Sequence, residues 1–359
     1  MSSHPVIKVK SPGRICLFGE HQDYLGLPVI AAAIDRHIDF QGQLNAESTI
    51  TIEMPDIHET RVVDLSDSFE VLAPRDYIAS IIRVLRREGV KFHTGCQISF
   101  SGNIPYKAGA SSSSAMIVGL IKLFTKLYQP DHELDPPEVA LLAYQSEVLE
   151  HGEPGGMMDQ YSISMGNVVH IDTKTYAVQT LGTSMDGLII SNSMVPKEIL
   201  EVHGRIRPSI EGAISILKQL DASFDIAQVR PEDLDEYYPL LPDALIPMFY
   251  ATVTNHAFTA QALEHLQQGI VDMNEIGKLM NQHHERLRDY LQITVPKINL
   301  MVNRALELGA LGAKINGSGG GGTIAILAPG HVEEVCAELD RLGAQTFPVS
   351  VDPGARYVD

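Results

Sequence analysis

Apolar residues recur along this chain with two different periods, and the balance between them shifts partway through. Over residues 6–100 the pattern is mainly that of strands. In Ile50-Thr51-Ile52-Glu53-Met54 and Gln97-Ile98-Ser99-Phe100, successive side chains fall on opposite faces of a sheet. One stretch breaks the alternation: Ile78, Ile81, Ile82 and Leu85 have the i, i+3, i+4, i+7 spacing of an amphipathic helix. A second helix is predicted to begin in the serine run at 111–114 and to continue through Met116, Val118, Leu120 and Leu123. A third is predicted from about residue 137 to 151, and residues 167–171 and 188–190 read as buried strands.

From about Met194 long helical stretches take over, including residues 276–291 and 295–308. A glycine-rich loop follows, then a strand at 323–327, a last helix near 332–342 and a short strand around 346–351. Strands and helices mixed without regular βαβ alternation predict an α+β architecture. A chain of 359 residues is longer than one core usually supports, so two domains are expected, 1–190 and 191–359.

Composition narrows the partners. The 27 Lys+Arg against 45 Asp+Glu give a formal charge of −18, which repels nucleic acid and anionic membrane surfaces. No run of about 18 apolar residues and no secretory leader pattern occurs, so neither secretion nor membrane insertion is expected. Cys16, Cys96 and Cys336 are widely spaced and form no C-x-x-C pair, which fits a reduced, cytoplasmic setting. A negative overall field does not forbid a nucleotide, which needs only a local cluster of amides, cations and magnesium.

Three segments carry candidate chemistry. In Gly109-Ala110-Ser111-Ser112-Ser113-Ser114, small residues lead directly into an apolar helix. Such a loop lets backbone N–H groups approach a phosphate at the positive end of the helix, and serine hydroxyls there can ligate magnesium. A plain serine cap would produce the same pattern. The second segment runs from Glu147 to Asp159, across the turn-forming Gly152-Glu153-Pro154-Gly155-Gly156. Glu147 lies four residues after Ala143 and eight after Val139, on or beside an apolar stripe, where a charge must be met. His151 would meet it as an ion pair; magnesium would meet it as a metal site, with Asp159 facing the same cavity. The third, Asn316-Gly317-Ser318-Gly319-Gly320-Gly321-Gly322-Thr323, contains G-x-G-x-x-G, but a strand rather than a helix follows it. Dinucleotide binding is therefore rejected in favour of a glycine hairpin close to another backbone or a ligand.

Together these segments resemble the motifs of the GHMP kinases, in order and over essentially the whole chain. Ser11-Pro12-Gly13-Arg14-Ile15-Cys16-Leu17-Phe18-Gly19-Glu20-His21-Gln22-Asp23-Tyr24 is similar to the galactokinase signature, with Gln22 where Thr is usual. The resemblance implies a ribosomal-protein-S5-like N-terminal domain, a ferredoxin-like C-terminal domain and a site between them. It implies ATP and Mg2+ as cofactors and transfer of the γ-phosphoryl group to a sugar hydroxyl, at the anomeric position.

By the same resemblance Asp159 is the catalytic carboxylate, with Arg14 beside the acceptor. Glu20, His21, Asp23 and Gly156 meet the sugar, and Gly109, Ala110 and Ser111 to Ser114 cradle ATP. Glu147 and Ser113, or Ser112 beside it, hold the metal, while Gly317, Gly319, Gly320 and Gly321 shape the site. Departures from the galactokinase pattern are Tyr106-Lys107-Ala108, where glycines are usual, and Ser114, where Ala is usual. Asn281-Gln282-His283-His284 resembles mevalonate kinases instead. Another sugar, a uronic acid or mevalonate is the alternative acceptor, and a sugar-and-ATP-binding regulator without catalysis is the alternative of a different class.

Overall fold

The computed structural model describes residues 4–105, 109–182, 184–196, 199–268 and 270–359. The departure noted at Tyr106-Lys107-Ala108 lies outside the described residues. Two sheets organise the rest. The first contains β1 (Ile7–Phe18), β2 (Val29–Leu44), β3 (Thr49–Met54), β4 (Glu59–Asp64), β5 (Cys96–Gly102), β6 (Val168–Ile171), β7 (Val178–Thr180) and β12 (Arg356–Val358). Its main order is β12-β1-β2-β5-β3-β4, with β6 also on β2 and β7 on β6. The pairings are antiparallel except for β3 with β5. The second sheet contains β8 (Leu188–Asn192), β9 (Gly312–Ile315), β10 (Thr323–Leu327) and β11 (Gln345–Pro348), in the antiparallel order β11-β8-β10-β9.

Helices α1 (Tyr77–Arg87), α2 (Ser112–Tyr128), α3 (Pro136–Tyr144) and α4 (Met158–Met165) belong to the first unit. The predicted stripe of α1, Ile78, Ile81, Ile82 and Leu85, is buried, and the Asp76 side chain starts the helix by accepting from the Ala79 N–H at 3.0 Å. Helix α2 is apolar nearly all round and is correspondingly buried on most sides. Its side chains share one core with Ile15, Leu17, Phe40, Ile50 and Ile98 of the sheet and with α1.

Between β8 and β9 come α5 (Ile199–Leu220), α6 (Leu234–Tyr237), α7 (Ile246–Leu266), α8 (Met273–Asp289) and α9 (Pro296–Glu307). Helix α10 (Val332–Arg341) joins β10 to β11. Helix, two strands, helix and strand after β8, in that sheet order, give the ferredoxin-like arrangement, and the α+β class is the one expected. The strand β8 spans the position 190/191, and β12 brings the end of the chain back onto β1 through Lys8↔Val358, Val9↔Tyr357 and Lys10↔Arg356.

The third helix differs from its prediction. It runs as an α-helix only to Tyr144, and residues Gln145–Leu149 form a π-turn in which the Glu150 N–H donates to the Gln145 carbonyl at 2.9 Å. The Ser146 hydroxyl donates back to the Leu142 carbonyl at 2.8 Å, and the Ser80 hydroxyl donates to the Ser146 carbonyl at 2.8 Å, so neighbouring side chains support the wider turn. Single π-turns of this kind gather at functional sites, and this one carries Glu147.

Candidate active site

Strand β1 ends at a cleft of about 1780 Å³. Its lining includes Arg14, Glu20, His21, Asp23, Gly109, Ser111, Ser112, Ser113, Ser114, Glu147, Gly156, Asp159 and Gly317. Segments more than 300 residues apart in sequence thus face one space, since Arg14 and Gly317 share it. Ala110, within the serine loop, is buried, and Gly319, Gly320 and Gly321 are buried in the second sheet's hairpin.

Arg14 and Asp159 form the centre of the cleft. The guanidinium donates from Nε to Oδ1 at 2.7 Å and from Nη2 to Oδ2 at 2.8 Å, a two-pronged bond that fixes the plane of the carboxylate. Arg14 is 4% exposed as a residue, whereas the Asp159 side chain is 28% exposed and opens into the cleft. The third guanidinium nitrogen, Nη1, donates to the Gly109 carbonyl at 2.7 Å, and the Arg14 N–H donates to the Ala110 carbonyl at 3.2 Å. One residue therefore anchors both the carboxylate and the serine loop.

Ser111 holds the position of an N-cap for α2, in a left-handed conformation at φ 59°, yet its side chain makes no capping bond. Its hydroxyl donates to Asp159 Oδ2 instead. Ser111 thus does not act as the plain serine cap, and Ser112, Ser113 and Ser114 of the first turn of α2 face the cleft. That end of the helix favours an anion.

Glu147 is buried at the same place. It accepts from the Gln160 amide at 2.6 Å and from the hydroxyls of Ser113 and Ser114. Burial pushes its carboxyl up, the nearby Asp159 charge adds to this, and the three hydrogen bonds oppose it. No ion pair joins His151 to Glu147 among the described residues; the His151 ring lies edge-on to Tyr77 with centroids 5.3 Å apart. A buried carboxylate with serine hydroxyls around it is a hard oxygen donor set, and a divalent cation would relieve the cost of its burial. These residues fit Mg2+.

On the acceptor side, burial and the Asp159 charge push Asp23 up to about 6, against N–H bonds from Met158 and Tyr24 and the charge of Arg14. His21 bridges the Tyr24 hydroxyl and the Ser318 carbonyl, each at 3.0 Å. The Glu20 carboxylate is buried and pairs with Lys314, whose ammonium also reaches the carbonyls of Cys16 and Ile315 at 3.1 and 3.0 Å. Gly156 packs directly on Asp23: a Cβ there would lie 2.0 Å from Asp23 Oδ2.

The glycine motif joins β9 to β10 as the hairpin expected. Gly319 and Gly321 have φ of +86° and +121°, and their backbones press on Ile293 and on the carbonyls of Val195 and Pro196. Sequence reasoning missed several contributors: Gln160, Lys314 and Asn316 as supports, and the apolar wall of Met54, Ile57, Tyr77, Phe100 and Met116. Gln160 and Asn316 stood inside the motifs, adjacent to the residues picked. The apolar wall had no local signal, because its members come from β3, the turn Pro55–Ile57, β5, α1 and α2, far apart in sequence.

Comparison with known proteins gives the same grouping. Family models for the GHMP kinases N terminal domain match residues 76–167, for the GHMP kinases C terminal domain residues 261–345, and for the galactokinase galactose-binding signature residues 2–42. The chain is 29% identical over 324 residues to a galactokinase of Pyrococcus furiosus, covering 88% of this chain and 87% of that protein. It is 28% identical to a galactokinase of Thermococcus kodakarensis, covering 95% of each. Its fold is similar to that of Lactococcus lactis galactokinase complexed with galactose, at TM-score 0.87 and 22% identity over 98% of this chain and 95% of that one. It is also similar to Methanococcus jannaschii mevalonate kinase, at TM-score 0.72 and 22% identity over 100% and 99%.

Proposed function

Because the chain belongs to the GHMP kinases, we propose that it is an ATP-dependent sugar kinase that phosphorylates the anomeric hydroxyl of galactose. The observation that carries this reading is the two-pronged Arg14–Asp159 pair, set between the open end of α2 and the acceptor wall of His21, Asp23 and Gly156.

Each part then has a task. Asp159, its plane fixed by Arg14, receives or orients the proton of the attacking hydroxyl. As the sugar oxygen bonds to phosphorus, the bond from the γ-phosphorus to its bridging oxygen breaks and ADP leaves with that electron pair. Arg14 offsets charge near the acceptor oxygen. The N–H groups of the serine loop and of the first turn of α2 hold phosphate oxygens. Mg2+, held by Glu147 and Ser113, supplies further neutralisation of the phosphates when bound. Met54, Ile57, Tyr77, Phe100 and Met116 offer an apolar wall for the flat base of the nucleotide. Positioning and fixed charge account for most of the acceleration, and no covalent enzyme intermediate is needed.

Asp23 suits a polyol, because one ionised carboxylate accepts two hydroxyl protons. Three free thiols, two of them buried, fit a reducing setting such as the cytosol. An acceptor screen with ADP release as the readout tests the reading. Galactose is expected to exceed arabinose, fucose, N-acetylgalactosamine, galacturonate and mevalonate in kcat/KM. Turnover of mevalonate alone would overturn it.

A further inference from the structure

The backbone of Cys16, two residues after Arg14 on β1, is held by side chains from the other sheet. Its N–H donates to Asn316 Oδ1 at 2.8 Å, and its carbonyl accepts from Lys314 Nζ at 3.1 Å. Asn316 directly follows β9 and is 0% exposed. The Asn316 amide nitrogen has two further partners, Thr323 Oγ1 at 3.1 Å and the Gly109 carbonyl at 3.0 Å. Thr323 also accepts the Asn316 backbone N–H through its own carbonyl at 3.0 Å, which holds the backbone there, while the Cys16 N–H on Oδ1 sets which end of the side-chain amide faces Gly109.

The Gly109 carbonyl is thus clamped from two sides, by Arg14 of the first sheet and by Asn316 of the second. Arg14 also orients Asp159. Without the Asn316 amide, the entrance to the serine loop would depend on Arg14 alone, and any drift of that loop would draw on the same guanidinium. We propose that Asn316 is a positioning residue for the nucleotide: from the second sheet it sets the Gly109 end of the serine loop, and so the affinity for the polyphosphate. This rests on the reading of the serine loop as the phosphate site.

Two variants separate the two ends of the side chain. Asn316→Ala removes both, without adding charge. Asn316→Asp keeps the acceptor for the Cys16 N–H and removes the donor to Gly109, so it retains the anchor to β1 should the alanine variant fail to fold. Nucleotide binding is measured by calorimetry with Mg2+ and a nonhydrolysable ATP analogue, without acceptor. KM values for ATP and galactose are measured alongside, and thermal unfolding reports the fold. Losing one buried hydrogen bond to the loop should weaken nucleotide binding about three- to tenfold in both variants. The KM for galactose should stay within twofold of the parent. A folded variant that binds nucleotide as the parent does would overturn the proposal, as would a galactose KM that rises in step with that for ATP. A parent protein that binds nucleotide yet leaves galactose untouched would contradict the acceptor reading alone. A parent that binds no nucleotide would overturn both.

Discussion

At the residue scale, Asp23 sets stability against function. Its carboxyl, raised to about 6, holds its proton more tightly in the folded chain than in the unfolded one. Between about pH 4 and 6 the folded state therefore binds more protons, and the stability contributed by this group falls as pH rises through that window. Asp23→Asn removes the penalty. Its unfolding temperature should match the parent near pH 4 and exceed it at pH 7.5, by a stability gain on the order of 1–2 kcal/mol. The same change should raise the KM for the sugar, and in the parent that KM should rise as pH falls through about 6. Thermal scans at the two pH values and a pH series of KM check both. Glu147→Gln tests the metal site: the Mg2+ concentration giving half-maximal rate should increase at least about tenfold. Of these residues, Arg14, Glu147 and Asp159 were legible because each stood in a recognisable motif. Lys314 was not, since its partner Glu20 lies 294 residues away and only the fold brings the two charges together.

At the element scale, signals local in sequence were the readable ones. The stripe of α1 and the β-branched run of β10 both fell where periodicity placed them, the strand at Thr323–Leu327. The π-turn carrying Glu147 was not readable, because its support includes a hydroxyl of a different helix, Ser80, donating to the Ser146 carbonyl. Nor was β12, a strand of Arg356–Val358 too short to show alternation and defined by its pairing to β1. In the glycine hairpin, Gly321 combines a φ of +121° with carbonyls of Val195 and Pro196 both 2.7 Å from where a Cβ would sit. Gly321→Ala should therefore destabilise the protein by about 1–3 kcal/mol, read as a lower midpoint in denaturant unfolding.

At the scale of the whole molecule, catalysis depends on convergence. In the proposed reaction the signature from Arg14 to Asp23, the serine loop, the Glu147 π-turn and Asp159 would each carry part of the chemistry; the first sheet, α2, α4 and the second sheet's hairpin bring them to one cleft. Against a net charge of −18, the positive end of α2 and the cleft's arginines, Arg14, Arg61 and Arg75, supply local positive charge for a polyphosphate. The α+β class followed from the pattern of strands and helices, and the GHMP kinase grouping from the motifs. The clasp between sheets did not, because contacts such as Asn316 to Gly109 are made between segments with no sequence relation. The central claim is that this cleft moves the γ-phosphoryl group of ATP onto C1 of galactose with Asp159 at the reacting hydroxyl. Phosphorus NMR of the reaction mixture, run for the parent and for Asp159→Asn, tests it most directly. The account predicts a galactose 1-phosphate signal for the parent. For the variant it predicts a rate lower by about 10²–10⁴, with nucleotide and sugar still bound. A variant that forms the product at the parental rate, or a parent that phosphorylates a different position, would contradict it.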